Sequence, residues 1–317
     1  MTASPLAATD SSALPELAGY GRPRLRGDVP ILWRDQASIQ LGDDVIVDRI
    51  SRSHVAWLTS LDGLRSPDEI ASDLSIPVGD ARRLLRSLIL AGALEDASRI
   101  PDALRWAAPG DRETANRRFG AALRTYRCLD ATFSAMAGRD SCRIAVLGDG
   151  VLAEETRLAV DAAGLGVGTA ADASLTILAD ALHPDVPARF DDACLDRPHL
   201  PVSALGARAV AGPIIIPGTT GCLRCAHLHR RDSDPAWPLL AVQWTQALTG
   251  MASPPLDPLL VRLAAAQATL LARTWVDAPD VPERWDGFAW ELTLPDLHAR
   301  KVARPAHPLC GCRWPAA

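Results

Sequence analysis

Lysine is almost absent from this chain of 317 residues: Lys301 is the only one, so arginine supplies the rest of the 33 basic side chains. A clamp that holds a triphosphate with a lysine point charge therefore has no candidate before residue 301. Excess positive charge is also missing. The formal net charge is −5, which excludes general attraction to nucleic acid or to anionic membranes. No uninterrupted run of about 18 apolar residues occurs, so no membrane span is expected. Aromatics are few at 5%, and the nine tryptophans recur without period, as core or interface residues do. Residues 1–28 lack a basic start and an apolar core, and read as a flexible N-terminus, not as a signal peptide. A reducing, cytoplasmic location follows from that reading. Cys128, Cys142 and Cys194 are then free thiols, and disulfides are not expected.

The remaining four of the seven cysteines are paired in sequence. Cys222-Leu223-Arg224-Cys225 and Cys310-Gly311-Cys312 lie far apart in the chain. Spacings C-x-x-C and C-x-C let each pair grip one metal from a single turn, and four thiolates suit tetrahedral Zn²⁺ with Zn–S near ~2.3 Å. With every position taken by protein, none stays open for water or substrate. The expected role of Cys222, Cys225, Cys310 and Cys312 is a structural zinc that closes a long loop. His227 and His229 follow the first pair, but four cysteines suffice, and both are read as packed or exposed side chains. Cys128 and Cys194 sit in no recognisable Cys–His arrangement, so neither is taken as a nucleophile.

Residues 29–99 carry three strand-length runs: Ile31–Trp33, Ser38–Leu41 and Val45–Val47, with Gly42-Asp43-Asp44 as a hairpin turn. Helical periodicity follows. Ser51 or Ser53 caps a first helix, Ser66-Pro67-Asp68-Glu69 opens a second, and a third after Pro77 closes at Gly92. This order predicts a winged helix-turn-helix. It resembles the peptide-binding winged helix of the PqqD-like family, in which an extended leader peptide adds to the third strand and lies against the third helix. The resemblance implies a groove made of Val45, Ile46, Val47 and Asp48 with Arg82, Arg86 and Ile89, suited to an acidic leader. DNA binding through the third helix is the alternative, and the surrounding acids Asp68, Glu69, Asp73 and Asp80 oppose it.

Residues 100–139 read as a helical connector, and residues 140–317 as a second domain. Cys142–Leu147 is a buried-strand run leading into Gly148-Asp149-Gly150-Val151-Leu152-Ala153 and a helix, which is G-x-G-x-x-A in the strand–turn–helix context of a dinucleotide fold. Asp149, Glu154 and Glu155 place negative charge where a phosphate would have to sit, so the loop of Gly148, Gly150 and Ala153 reads as degenerate. Near the C-terminal end, Asp257–Val276 forms a helix with Leu259, Leu260, Leu263, Ala266, Leu270 and Leu271 on its core face. A hairpin around Pro295-Asp296 then brings Cys310 back to the first cysteine pair.

Gly212-Pro213, Pro217-Gly218-Thr219-Thr220-Gly221-Cys222-Leu223-Arg224-Cys225 and His307-Pro308-Leu309-Cys310-Gly311-Cys312 resemble the ThiF/MoeB superfamily. These are adenylating relatives of ubiquitin-activating enzyme, whose cysteine pairs hold zinc. With the winged helix in front, residues 29–317 resemble the ThiF-like partner proteins of azole-forming YcaO cyclodehydratases. The resemblance implies an α/β chain with a degenerate Rossmann-like ThiF domain, Zn²⁺ as its cofactor and no ATP. It also implies a precursor-peptide leader and a YcaO protein as partners, a possible homodimer, and a scaffold without catalysis of its own. The sequence departs from active adenylating enzymes in lacking the phosphate-clamping lysine, and only Asp180 stands in for their metal-binding aspartate. Adenylation of a peptide or carrier-protein C-terminus is the enzyme-class alternative.

Overall fold

The computed structural model describes residues 20–100, 102–106, 108–179, 196–249, 256–277 and 287–313. Its contacts divide the chain into two compact units, Met1–Met136 and Ala137–Ala317.

In the first unit, strands β2 (Ile31–Trp33), β3 (Ser38–Leu41) and β4 (Val45–Asp48) form an antiparallel meander in that order. Gly42, at φ +60, makes the β3–β4 turn. Alternation buries Ile39, Leu41 and Val47 on one face and leaves Leu32 and Ile46 exposed on the other. Helix α1 (Arg52–Thr59) starts at a capping box in which Ser51 Oγ accepts from the His54 N–H and His54 Nδ1 accepts from the Ser51 N–H. Helix α2 (Pro67–Asp73) starts the same way, through Ser66 and Glu69, with proline at its first turn. Helix α3 (Val78–Leu90) packs Leu84, Leu85, Leu88 and Ile89 into the same core.

Residues 20–28, read from sequence as part of a flexible N-terminus, are instead partly ordered. Tyr20 is buried, and β1 (Pro23–Leu25) pairs antiparallel with β5 (Leu94–Asp96). Asp96 Oδ2 accepts from the Gly21 N–H at 2.6 Å, and the Arg26 guanidinium bonds both Asp28 and Glu95. A three-residue strand has too few positions to show periodicity, and its partner lies 71 residues on, so no local signal marks it. Helices α4 (Asp102–Arg105), α5 (Pro109–Tyr126) and α6 (Leu129–Ser141) follow, and Phe119 and Leu123 of α5 belong to the first core.

The second unit is built on one seven-stranded sheet of order β12-β11-β10-β9-β8-β6-β7. Strands β6 (Arg143–Leu147), β7 (Gly166–Val167), β8 (Leu175–Ala179) and β9 (His199–Leu205) are parallel, while β10 (Arg208–Ala211), β11 (Phe288–Thr293) and β12 (His298–Ala303) extend the sheet antiparallel. Strand β8 is buried along its whole length, as a central parallel strand should be. Helix α7 (Val151–Ala162) follows β6. Helices α8 (Leu223–Ser233), α9 (Trp237–Thr249) and α10 (Pro258–Asp277) lie between β10 and β11 in sequence.

Helix α10 packs on α7 and on β9 and β10 through a face that keeps Leu260 and, half-buried, Leu271 of the expected set but turns Leu259, Leu263, Ala266 and Leu270 away. Ala264, Ala265, Ala268 and Ala272 are buried with Leu260, Val261 and Val276, whereas Leu259, Leu263 and Leu270 are 68%, 47% and 51% exposed. Small side chains let the helix approach the sheet closely, and the leucine stripe is turned outward. By length and composition this helix alone, among the described residues, could cross a membrane; its alanine face is the cover of the sheet.

Candidate functional site

The two cysteine pairs meet in the second unit. Cys222 is the N-cap of α8 and Cys225 lies in its first turn, so C-x-x-C places both sulfurs at the positive end of a helix. The other pair follows a turn in which the Cys310 N–H donates to the His307 carbonyl. Gly311, at φ +75, reverses the chain between the two cysteines. The Cys222–Cys225, Cys222–Cys310 and Cys225–Cys312 sulfurs are 3.7, 3.5 and 3.4 Å apart, and all four fall within 4.8 Å of one another. A tetrahedral Zn²⁺ with bonds of about 2.3 Å requires sulfurs roughly 3.8 Å apart. The four cysteines therefore fit a metal with small adjustments.

The thiols differ in acidity: burial, followed by the neighbouring sulfurs, pushes the Cys312 thiol up to about 11 and the Cys310 thiol up as well, whereas at Cys225 hydrogen bonds from the backbone and from the neighbouring thiols outweigh burial and lower it. Binding a cation would convert the group to thiolates. Gly221 permits the convergence, because a Cβ there would stand 2.6 Å from the Arg304 carbonyl oxygen and 2.8 Å from the Pro305 carbonyl carbon. His307 braces the turn: its Nδ1 accepts from the Leu309 N–H, and its Nε2 lies 2.8 Å from Asp232 Oδ2. His227 accepts from the Trp237 indole N–H, and the His229 ring packs edge-on against His307, so neither is among the clustered ligands.

The residues expected to form a peptide groove are split by the structure. Strand β4 ends its sheet, and no described strand pairs with its outer edge. Ile46 is exposed, Val45 half-buried and Val47 buried, and α3 packs against the strand. Arg82 and Arg86 are exposed on α3. Ile89 is not a groove residue: it is 2% exposed, and the helical period that carries Leu85 inward carries Ile89 with it. The arginine that reaches β4 is Arg83, whose Nη1 donates to the Asp48 carbonyl at 2.8 Å. Its position one residue after Arg82 gives no sequence signal for this.

The glycine loop has its strand–turn–helix setting. Gly148, at φ +126, lies so close to β8 that a Cβ would fall 2.8 Å from the Ala179 carbonyl carbon. Arg157 of α7 braces the loop by donating to the Val146 and Gly148 carbonyls. Gly150 caps α7 without a side-chain bond, Ala153 is buried, Asp149 and Glu154 are exposed, and Glu155 pairs with Arg262 of α10. Asp180 and Cys194 lie outside the described residues.

No family model and no curated protein matches the chain. Solved structures do. The heterocyclase TruD superposes with a TM-score of 0.60 at 16% identity, over 92% of this chain and 42% of that one. A heterocyclase in complex with substrate and cofactor gives 0.58 at 16%, over 89% and 38%. Escherichia coli MccB with AMPCPP and MccA gives 0.61 at 12%, over 92% and 99%. The chain thus spans about two fifths of the heterocyclase chains and nearly all of MccB. At these identities the likeness is one of fold: a mixed α/β chain whose seven-stranded sheet is Rossmann-like.

Proposed function

We propose that this chain is a zinc-stapled, ThiF-like scaffold that recognises the leader of a ribosomal precursor peptide and presents it to a YcaO-type cyclodehydratase. In this reading the first unit is a winged-helix recognition element. The observation that carries it is the outer edge of β4, which no described strand pairs, with α3 beside it, the arrangement an added peptide strand needs. Val45–Asp48 would supply main-chain hydrogen bonds, while Arg82 and Arg86 would draw an acidic leader. Tethering by the leader raises the effective concentration of core Cys, Ser or Thr residues at the partner enzyme. Helix α9 exposes Leu239 and Val242, apolar side chains of the kind a partner protein covers. Such a complex belongs in the cytoplasm, where the thiols stay reduced.

Fluorescence anisotropy with a labelled acidic leader-like peptide tests the reading. Binding that Ile46→Pro abolishes and Arg82→Glu weakens is expected; binding that both variants leave unchanged refutes the β4 edge as the site. One observation favours a second reading, in which the chain adenylates a peptide C-terminus: the fold covers nearly all of MccB, which has been solved with ATP. Peptide-dependent ATP–pyrophosphate exchange would establish that reading, and its absence would favour the scaffold.

A further inference from the structure

On the side away from the sheet, helix α10 carries an apolar stripe. Leu259, Leu263 and Leu270 are largely exposed there, and Ala266 is exposed between them. Their spacing is four, three and four residues, the 3.5-residue period at which one helix presents a seam to another helix. Covering the sheet does not require this stripe, because the opposite face of α10 already does so with alanines. The neighbouring helix α7 widens the apolar area. Glu155 of α7 pairs with Arg262 of α10 at 3.1 Å, and Leu158, one turn further along α7, is 65% exposed. Single exposed leucines are ordinary on a folded chain, but a periodic run of them across two packed helices marks a contact surface.

The order of residues along the seam says what covers it. The spacing is the same from either end, and its midpoint falls between Leu263 and Ala266. About a two-fold axis through that midpoint, an antiparallel copy of α10 sets Leu259 against Leu270 and Leu263 against Ala266, so that a large side chain meets a small one at the centre. A parallel copy would oppose Ala266 to itself and leave a gap. Charge agrees with the antiparallel arrangement. Asp257 caps the N-terminal end of α10 through Oδ1, which accepts from the Leu259 and Leu260 N–H groups, and Arg273, near the C-terminal end, has no ionic partner among the described residues. The antiparallel copy brings Arg273 opposite Leu256, beside Asp257, at each end of the seam. Exposed ion pairs of this kind add little affinity, but they fix register.

We infer that α10 is a dimerisation helix: a second copy of this chain packs its own α10 antiparallel on the seam of Leu259, Leu263, Ala266 and Leu270. The contact lies wholly in the second unit and is independent of peptide recognition at β4. A seam of about three turns is short for a permanent dimer, so the association is reversible, with a dissociation constant of about 10 µM. Below that concentration the chain unfolds as a monomer whose seam is solvated.

Light scattering on the full, metal-loaded chain tests this across a range of about 1–200 µM. The mass should rise from 33.8 kDa toward twice that value. Leu263→Glu should hold the chain at the monomer mass throughout, with the circular dichroism spectrum unchanged because the side chain is half-exposed. Arg273→Glu should weaken association at least tenfold, and adding Asp257→Asn, which keeps the helix cap, should recover part of that loss. A monomer mass for the wild-type chain at the top of the range overturns the inference, as does a dimer that Leu263→Glu leaves intact. Failure of Asp257→Asn to recover any of the Arg273→Glu loss overturns the antiparallel register.

Discussion

Gly221→Ala offers a direct test of how the metal centre is assembled. The added Cβ would stand 2.6 Å from the Arg304 carbonyl oxygen and 2.8 Å from the Pro305 carbonyl carbon, where ordinary contact begins near 3.4 Å. Both obstacles are backbone, so no rotamer change relieves the clash, and the segment before Cys310 must withdraw by about 0.8 Å. Metal–ligand distances tolerate roughly 0.2 Å. A shift four times larger, applied between the loop that carries Cys222 and the segment that leads to Cys310, should cost at least one good metal–sulfur bond. The expected result is a loss of zinc affinity of tenfold or more, equivalent to about 1.4 kcal/mol. Competition with a chromogenic chelator measures that loss, and cobalt substitution reports whether four thiolates still surround the metal. A variant that holds cobalt in an unchanged tetrahedral thiolate spectrum with unchanged affinity would refute the argument from close approach. Wild-type protein purified under reducing conditions with well under one metal per chain would refute the centre itself.

Other consequences concern packing and charge. Gly120→Ala should destabilise the first unit by about 1–3 kcal/mol in urea denaturation, because the new Cβ meets the buried Arg26 guanidinium, 3.0 Å from its Cζ, and disturbs its bonds to Asp28 and Glu95. On α10, Ala268→Leu should cost about 1–3 kcal/mol by overpacking, whereas Leu263→Gln should stay within about 0.5 kcal/mol; the reverse order would restore the leucine face as the core. Burial lowers the affinity of His199 for a proton, and its Nδ1 lies 2.8 Å from the Arg197 carbonyl. The unfolded chain then binds the extra proton first, so stability is full above about pH 6.5 and falls as the pH drops below it. His199→Asn, which can keep the bond to Arg197, should flatten that dependence in thermal melts between pH 7.5 and pH 5.5; an unaltered slope would remove His199 as its source.

Much of the local architecture was written in short-range signals. Ser51, Ser66 and Pro67 mark helix starts, Gly42 marks the hairpin, and the chain from Cys142 to Ala153 carries its strand–turn–helix pattern, because capping, positive φ and side-chain period are decided within a few residues. The cysteine spacing showed which residues converge for the same reason, since each pair is a single turn. Other features belong to tertiary structure alone. Strand β1 exists because β5 lies beside it. The inward face of α10 is the alanine face, because closeness to the sheet counts for more there than side-chain size. Arg83, not Arg82 or Arg86, reaches β4, a matter of how α3 is rotated against the strand. The leucine seam of α10 is spelled out in its spacing, yet only the packing of the opposite face decides that the seam points away from the sheet. The sequence alone determined the helices and strands that are marked by caps, turns and side-chain period, and which four thiols pair in turns, because those choices are local. The sheet order and the close approach at Gly221 decided which surfaces face one another, because packing is settled by partners far away in the chain.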